Sequence, residues 1–290
     1  MLIIGCGDVG LRTAQRLLSH YRVFGLVRST DTAVSLRAAG VTPIVADLDQ
    51  QRSLTRIAAI ADVILHFAPP PASGEIDTRT RNVLAALARR GQLPRQLVYI
   101  STSGVYGDCA DAWVSEARPL HPASGRAIRR VDAEQRVRSF AQRTGMKVSI
   151  LRVPGIYAAE RLPLARIERG TPVLCAADDV YSNHIHAEDL ARIVVLAMHR
   201  AANMRIYHAS DDSELKMGAY FNLVAGAFNL PKPPQISRIQ AQQLLPASML
   251  SFMSESRRLL NKRMKQELRL RLRYPTVGSF LDQYASLRKS

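Results

Sequence analysis

Three glycines near the amino terminus have the spacing G-x-G-x-x-G, which is typical of a phosphate-binding turn. Gly5, Gly7 and Gly10 follow four apolar residues and precede a plausible helix. At these positions Gly5 permits a tight turn, Gly7 lets the backbone approach a pyrophosphate, and Gly10 lets the helix pack against the strand. The N–H groups of Asp8 and Val9, at the positive end of the helix dipole, would face the phosphates. The motif therefore predicts a nucleotide-binding site.

A second group of chemically useful side chains is the run of hydroxyls at Ser101, Thr102 and Ser103, which follows an apolar stretch. Hydroxyls at the carboxyl end of a strand point into a cleft, where they can hydrogen-bond a substrate oxygen beside a nicotinamide. The same residues could instead cap the turn after the strand. The sequence alone leaves both interpretations open.

The residues at the ends of the second and third predicted strands indicate which dinucleotide the protein binds. At the end of the second strand, an acidic residue accepts a hydrogen bond from the ribose of NAD, whereas an arginine favours the 2′-phosphate of NADP. Arg28 and Ser29 stand there, so NADP is the preferred cofactor, and NAD is the alternative if Asp31 reaches the ribose. Asp47, which closes the third strand, could accept from the adenine amino group or cap the next helix.

An alternation of strands and helices would bring these side chains to one edge of a sheet. Such β-α-β units connect by right-handed crossovers into a doubly wound parallel sheet, so we predict an α/β fold of the Rossmann type. The fourth strand ends at Ala68, and Pro69 begins a run of three prolines that turns the chain out on the cofactor side. The predicted strands are 1–4, Tyr21–Val27, Val41–Ala46, Val63–Ala68 and Gln96–Ser101, and the predicted helices are Leu11–His20, Ala33–Gly40, Gln51–Ile60 and Thr78–Arg90.

The regular alternation fades after Tyr157, where prolines begin to punctuate shorter segments. We therefore predict an NAD(P)-binding Rossmann domain over residues 1–157, to which the segment 183–210 returns. Residues 158–182 and 211–290 would form a smaller substrate-binding lobe over the carboxyl ends of the strands, which is where ligands bind in open α/β sheets.

Composition narrows the class of protein further. The 290 residues contain no apolar run long enough to span a membrane, and a strand at the very start predicts that there is no signal peptide. Cys6, Cys109 and Cys175 are odd in number and far apart, which indicates a reducing compartment, and we expect a cytoplasmic protein. The net charge is +16. Arginines and lysines at helical spacing among leucines predict an amphipathic helix over residues 257–273. Without a nucleic-acid-binding motif we predict no nucleic acid partner, and the alternative is a nucleic-acid contact through this basic helix.

The stretch S-T-S-G-V-Y-G-D after the fifth strand resembles the corresponding motif of the extended short-chain dehydrogenase/reductases, the NAD-dependent epimerase/dehydratase family. Further segments that match this family, in order, are Glu116-Ala117-Arg118-Pro119, Leu151-Arg152-Val153-Pro154-Gly155-Ile156-Tyr157 and Asn183-His184-Ile185-His186-Ala187-Glu188-Asp189-Leu190-Ala191. The tail, residues 254–276, is similar to that of a subgroup labelled nucleoside-diphosphate-sugar epimerase. The resemblance implies hydride transfer between NAD(P) and a sugar or nucleotide-sugar hydroxyl or carbonyl, in a monomer or homodimer.

The resemblance also exposes a departure from the family. Its members carry a Y-x-x-x-K pair that ends four residues before a glutamate, and the tyrosine of that pair transfers the substrate proton. Counting back from Glu134 puts Arg130 at the lysine position and Arg126 at the tyrosine position. An arginine stays protonated near neutral pH and cannot act as a general base. The resemblance makes Thr102 the catalytic hydroxyl, and Arg130 could hold the ribose.

The proton-transfer role is then unassigned unless Tyr157, Ser124 or water takes it. Ser103, Tyr157 and His186 are the predicted substrate contacts. His184 and His186 have a spacing that suits two metal ligands on a strand, but no third ligand is evident, and we predict no metal site. Because the tyrosine is missing, the alternative to an enzyme is a protein that binds NADP(H) as a sensor without catalysis.

Overall fold

Seven runs of mostly apolar residues pair in parallel to form the central sheet of the structure, which is a computed structural model. The structure describes residues 1–287, apart from the side chains of Arg90, Ser248, Ala285 and Leu287. Short additional strands pair outside this sheet. The strands are β1 (Leu2–Ile4), β2 (Phe24–Val27), β3 (Thr42–Val45), β4 (Val63–His66), β5 (Gln96–Thr102), β6 (Trp113–Val114), β7 (Lys147–Val153), β8 (Gly155–Tyr157), β9 (Val173–Leu174), β10 (Tyr181–Ser182), β11 (His184–His186), β12 (Arg205–His208), β13 (Leu215–Lys216), β14 (Gln235–Ile236) and β15 (Arg258–Leu259).

The order of the strands across the central sheet is β12-β7-β5-β4-β1-β2-β3, and every neighbouring pair is parallel. The direction of winding reverses between β1 and β4, which creates the crevice where ligands bind in such sheets. The predicted doubly wound Rossmann-type fold is therefore confirmed.

Helices cover both faces of the sheet because successive residues of a buried strand point to opposite sides. Leu2 and Ile4 pack on one face with Leu84 and Val137, whereas Ile3 belongs to the core on the other face. The α-helices are α1 (Asp8–Gln15), α2 (Thr30–Ala38), α3 (Thr78–Leu87), α4 (Gly125–Thr144), α5 (Leu164–Glu168), α6 (Ala187–Arg200), α7 (Met217–Ala227), α8 (Arg238–Leu244), α9 (Ala247–Met253), α10 (Lys262–Glu267) and α11 (Val277–Leu287). No helix among residues 1–287 is long and apolar enough to cross a membrane.

One predicted helix has the wrong type. The segment predicted as a helix over Gln51–Ile60 is a 3₁₀ helix over Gln51–Ile57. The hydroxyl of Ser53 donates to the carbonyl oxygens of Asp47 and Gln50, each at 2.8 Å. Local side-chain bonds of this kind offer the backbone an alternative to the α-helical pattern.

The prediction of an amphipathic helix over residues 257–273 is also largely wrong. The segment starts with the short strand β15, and α10 covers only Lys262–Glu267. The chain then leaves the helix at Arg269, which has a φ of +50°. The apolar residues of this segment, Met264, Leu268 and Leu270, are buried against the core on one face of the central sheet. Tertiary packing rather than helical periodicity decides the shape of this segment.

Residues 158–182 and 211–287 lie outside the central sheet and contribute α5, α7 to α11 and short strands. Ile167, Phe221, Val224 and Phe280 from these segments share a separate apolar core. The division of the chain into two domains stays a prediction, and residues 288–290 of the predicted lobe lie outside the described part.

Candidate functional site

The carboxyl ends of the central strands β1, β4, β5 and β7 open into a cavity of about 780 Å³. The first turn of α4 and the segments outside the sheet complete its wall. The cavity therefore lies at the edge where the topology predicts a ligand site. The predicted site residues on its wall are Gly5, Gly7, Asp8, Val9, Gly10, Pro69, Thr102, Ser103, Arg130 and Tyr157, and those away from the wall are Arg28, Ser29, Asp47, Ala68 and His186.

The three glycines of the first turn have different surroundings. Gly5 has a φ of +79°, and a Cβ atom there would lie 2.7 Å from the backbone nitrogen of Ala68. A Cβ atom on Gly10 would lie 3.1 Å from the carbonyl oxygen of Gly5. A Cβ atom on Gly7 would meet nothing within 4 Å. Gly5 and Gly10 thus permit the turn and its close packing on Ala68, whereas Gly7 leaves space on the cavity side.

The turn leads directly into α1, whose first N–H groups have no acceptor. Gly7 is the N-cap and provides no side-chain cap, and no described atom accepts from the N–H groups of Asp8, Val9 or Gly10. The carboxylate of Asp8 instead accepts from Arg12 at 2.6 Å and from Arg161 at 2.8 Å. These unpaired N–H groups at the positive end of a helix fit the phosphates of a dinucleotide.

The residues predicted to meet the adenosine lie beyond the cavity, along the ends of β2 and β3. Arg28 is exposed and has no hydrogen-bond acceptor among the described residues. Ser29 caps α2 by accepting from the N–H of Thr32 at 3.3 Å. Asp47 accepts from the N–H of Asp49 at 3.0 Å, which is a local turn before the 3₁₀ helix, whose N-cap is Gln50. Arg28 thus has no hydrogen-bond acceptor in the described part of the chain, and the carboxylate of Asp49 acts on it only as a nearby charge.

The hydroxyl cluster after β5 has both a structural and an open part. Thr102 is the N-cap of a 3₁₀ helix and its hydroxyl oxygen accepts from the N–H of Gly104 at 3.2 Å. Ser101 and Ser103 also line the cavity, and the buried hydroxyl of Ser101 has no hydrogen-bond partner. The cluster therefore caps its own turn and still presents oxygens to the cavity.

Two arginines occupy the places that the resemblance gives to tyrosine and lysine. Arg130 is buried, and its Nη1 donates to the carbonyl oxygens of Ala68 at 3.2 Å and Ile100 at 2.9 Å and to the hydroxyl of Tyr99 at 2.9 Å. Arg126, one helical turn earlier on α4, lies over the ring of Phe252 at 4.8 Å. Arg130 thereby joins the ends of two central strands to the helix, and both side chains line the cavity.

Beneath the hydroxyl cluster lies a buried polar network built from the motif residues. Arg152 pairs with both carboxylate oxygens of Glu134, at 3.0 and 2.7 Å, and donates to the hydroxyl of Tyr106 at 2.6 Å. Tyr106 in turn lies 2.6 Å from Nε2 of His208, whose backbone N–H donates to Glu116 at 3.3 Å. The network links the turn after β5 to β7, β12 and α4, and so holds the turn that presents Thr102 in a fixed position.

Tyr157 and the two histidines have mainly buried surroundings. The buried hydroxyl of Tyr157 lies beside Asp211, and burial together with this carboxyl group raises the pKa of Tyr157, so that it stays protonated at neutral pH. His186 caps α6 by accepting from the N–H of Glu188 at 3.1 Å and packs on Tyr274. His184 lines the cavity, and burial lowers its pKa to about 4. No set of three or more metal-binding side chains was found among the described residues.

Sequence reasoning missed the part of the site that comes from the tail. Glu255 and Arg257 line the cavity and pair with each other at 2.8 Å. Asn183 fixes this segment by donating to the carbonyl oxygen of Arg257 at 2.9 Å and accepting from the N–H of Leu259 at 2.8 Å. The tail motif was visible in the sequence, but nothing in its spacing showed that it would face Thr102.

Another missed contribution comes from the segment that follows β8. Arg161 lines the cavity and donates to Asp8 at the glycine turn. Arg166 also lines it, lying over the ring of Phe221 at 4.4 Å, and its Nε is buried without a partner. The charge of Arg161 is thus balanced by Asp8, whereas Arg166 adds a positive charge that no carboxylate in the described part of the chain balances.

The fold and the site together define a dinucleotide-binding protein of the extended short-chain dehydrogenase/reductase type. Residues 1–210 match the NAD dependent epimerase/dehydratase family, and the chain belongs to that family.

Solved structures of other proteins share the fold over nearly the whole chain. A functionally unknown conserved protein from Silicibacter pomeroyi is 28% identical with a TM-score of 0.81, and the match covers 100% of this chain and 99% of that one. UDP-glucose 4-epimerase from Thermotoga maritima, solved with UDP-glucose, is 17% identical with a TM-score of 0.79 over 99% and 98% of the two chains. The dTDP-glucose 4,6-dehydratase DesIV from Streptomyces venezuelae, solved with NAD and TYD bound, is 18% identical with a TM-score of 0.77 over 99% and 97%.

Proposed function

We propose that this protein is an NAD(P)-dependent oxidoreductase or epimerase that acts on a hydroxyl or carbonyl of a sugar or nucleotide-sugar. The observation that supports this proposal best is that one cavity is lined both by the residues with unpaired N–H groups at the start of α1 and by the hydroxyls after β5. A dinucleotide that has its pyrophosphate at the first group would direct its nicotinamide toward the second.

The residues of this chain would divide the work as follows. The N–H groups of Asp8, Val9 and Gly10 would bind the pyrophosphate, and Arg130 would hold the ribose next to the nicotinamide. When bound, the dinucleotide supplies a hydride acceptor or donor. Thr102 would hydrogen-bond the reacting oxygen of the substrate, with Ser103 beside it.

The charge of Arg28 supports NADP as the preferred dinucleotide. Its guanidinium lies at the end of β2 without an acceptor, which is where the ribose 2′-phosphate of NADP lies in folds of this type. Arginine recognises phosphate well because its planar fork of N–H groups matches two oxygens at once. Replacing Arg28 with aspartate should therefore reverse the preference toward NAD.

Arginines on the opposite wall support an anionic substrate. Arg161, Arg166 and Arg257 line the cavity from the segments outside the sheet. Arg161 is paired with Asp8 and Arg257 with Glu255, whereas Arg166 has no carboxylate partner within residues 1–287. The diphosphate of a nucleotide-sugar would be attracted to them. The neighbours solved with UDP-glucose and with TYD agree with a ligand of this class.

The direct test combines dinucleotide binding with a substrate panel. Isothermal titration calorimetry should give micromolar or tighter affinity for NADP(H), and weaker affinity for NAD(H). Nicotinamide absorbance in the presence of UDP-sugars and dTDP-sugars should then report turnover that Thr102→Ala abolishes. A folded protein that binds neither dinucleotide would rule out the proposed function.

A second candidate function is an NADP(H) sensor without catalysis, and Arg126 at the tyrosine position is the observation that favours it. A sensor would bind NADP(H) with the same affinity and turn over no sugar in the panel. Its response would be a dinucleotide-dependent change in a partner complex, and Thr102→Ala would leave that change intact. Turnover that depends on Thr102 would exclude the sensor.

A further inference from the structure

The end of the cavity around Thr102 has an excess of positive charge. Arg126 and Arg130 line it from α4, and Arg257 lines it from the tail. Glu255 is the carboxylate on this part of the wall in the described range, and it is already paired with Arg257. One guanidinium is therefore balanced and two are not.

The charges on Arg126 and Arg130 have no carboxylate partner among residues 1–287. The hydrogen bonds of Arg130 go from Nη1 to neutral oxygens, two carbonyls and one hydroxyl. Arg126 has an aromatic ring as its close contact, and the carboxylate of Glu255 acts on it only as a nearby charge. Burial and the charge of Arg130 both lower the pKa of Arg126. Each guanidinium therefore experiences the positive charge of the other.

The histidine on the cavity wall adds no charge. Burial lowers the pKa of His184 to about 4, so its ring is neutral at physiological pH. The positive potential around Thr102 therefore comes from arginines, which keep their charge over the whole working pH range.

In the orientation of the dinucleotide that the proposed function requires, these arginines face the nicotinamide. That ring carries a positive charge when it is oxidised and no charge when it is reduced. Nearby guanidinium groups therefore repel the oxidised form only, whereas their attraction to the phosphates is the same for both forms.

We propose that Arg126 and Arg130 make the cavity select the reduced dinucleotide over the oxidised one, with Arg126 as the residue that sets the size of the preference. The proposal rests on the proposed dinucleotide site and holds for an enzyme or a sensor. A tyrosine at position 126, as in the resembling family, would bring no positive charge. Its consequence for an enzyme is that the bound reduced dinucleotide is a weaker hydride donor than the free one, so the equilibrium between bound reactants shifts toward oxidation of a hydroxyl.

The test is a calorimetric comparison of NADPH with NADP⁺, and of NADH with NAD⁺, on the whole protein. A unit charge several ångströms away at an effective dielectric constant of about 20 changes relative affinity by roughly tenfold, so the reduced form should bind at least about tenfold more tightly. Arg126→Gln should lower that ratio severalfold, and Arg126→Tyr should do the same. Arg126→Lys keeps the charge and should keep the ratio.

The matched control is Arg143→Gln, which removes one exposed positive charge near the other end of the same helix. This variant should keep the ratio of affinities for the reduced and the oxidised dinucleotide unchanged. A higher salt concentration should change that ratio as little in this variant as in the wild type. Equal affinities for the two redox forms, or a ratio that Arg126→Gln does not move, would overturn the proposal while leaving the dinucleotide site intact. Absence of binding by both forms would instead contradict the proposed function.

Discussion

Two buried arginines beneath the same cavity differ in what surrounds their charge. Arg152 is 2% exposed and pairs through two nitrogens with Glu134, whereas Arg130 is 9% exposed and bonds only neutral oxygens. They belong to neighbouring parts of one layer, since Arg130 and Glu134 lie one turn apart on α4. The paired arginine is closed off from the cavity, and the unpaired one lines it.

The contrast separates a structural charge from a charge that is available to a ligand. Burying an ion costs several kcal/mol, and a protein recovers this only through a well-placed partner and full hydrogen bonding. Arg152 has both, with Tyr106 completing its hydrogen bonds. Arg130 keeps an unbalanced charge, which an anionic or electron-rich ligand in the cavity could balance. The first should therefore matter most for folding and the second for binding.

The largest expected effect comes from breaking the paired charge. Arg152→Met would leave Glu134 as an uncompensated buried carboxylate and Tyr106 without its donor, so it should lower the free energy of unfolding by about 3–5 kcal/mol. Urea denaturation of both proteins at pH 7 measures the difference. A loss below about 1 kcal/mol would show that the pair has no structural role of the kind argued here.

Replacing the unpaired Arg130 with methionine should have a smaller effect on stability than Arg152→Met and a larger effect on dinucleotide binding. Arg130→Met removes hydrogen bonds to two carbonyls and a hydroxyl but also removes an unbalanced buried charge, so the cost should stay below about 2 kcal/mol. Dinucleotide affinity should fall at least about tenfold, because the ribose contact and a favourable charge near the phosphates are lost. Unchanged affinity by calorimetry would remove Arg130 from the site.

The two arginines also show which features of the site can be predicted from the sequence and which cannot. The family resemblance implies a dinucleotide contact for Arg130 through a count back from Glu134, and both residues lie on one helix, where such local spacing survives folding. The glycine turn was predictable for the same reason. The division of roles between Arg130 and Arg152 could not be predicted, because it depends on which carboxylate lies within reach after β5, β7 and α4 pack together.

The tail residues Glu255 and Arg257 mark the limit of prediction even more clearly. Their place on the cavity wall depends on Asn183, which bonds the backbone of the tail from more than seventy positions away along the chain. Asp189 does the same for Tyr274, whose N–H it accepts at 2.8 Å. Periodicity predicts a helix over residues 257–273 because it depends only on residues that are close along the chain. The backbone path of the tail is fixed instead by these long-range hydrogen bonds.

A pair of glycine variants tests the same separation of stability from binding at the other end of the cavity. Gly5→Ala places a Cβ atom 2.7 Å from the nitrogen of Ala68 at a φ of +79°, so it should destabilise the protein by about 1–3 kcal/mol. Gly7→Ala meets no atom and should leave stability within about 0.5–1 kcal/mol of the wild type, while the methyl group hinders the pyrophosphate and weakens binding severalfold. Thermal unfolding and calorimetry measure the two quantities. If Gly7→Ala binds dinucleotide normally, the pyrophosphate does not lie on this turn.

A final effect, which is spread over several groups rather than one substitution, is the pH dependence of stability, and each buried arginine has a histidine neighbour. Burial lowers the pKa of His66, near Arg130, and of His208, beside the Arg152 network, to about 3, and that of His184 and His186 to about 4. Between pH 6.5 and 4 the unfolded chain therefore binds protons at these histidines that the folded chain does not, and stability falls as the pH falls.

Asp211 acts in the opposite direction. Burial raises its pKa to about 7, so the folded chain binds a proton there between pH 7 and 4 that the unfolded chain releases, and stability rises as the pH falls. Asp211 and Asp179, whose pKa burial also raises, oppose four histidines, so the net free energy of unfolding should decrease from pH 6.5 to pH 5. Urea denaturation at these two pH values checks this, and Asp211→Asn should steepen the decrease. A stability that is flat or rises on acidification would mean that the four histidines titrate in the folded protein, and that the burial argued for them and for the arginines beside them is incomplete.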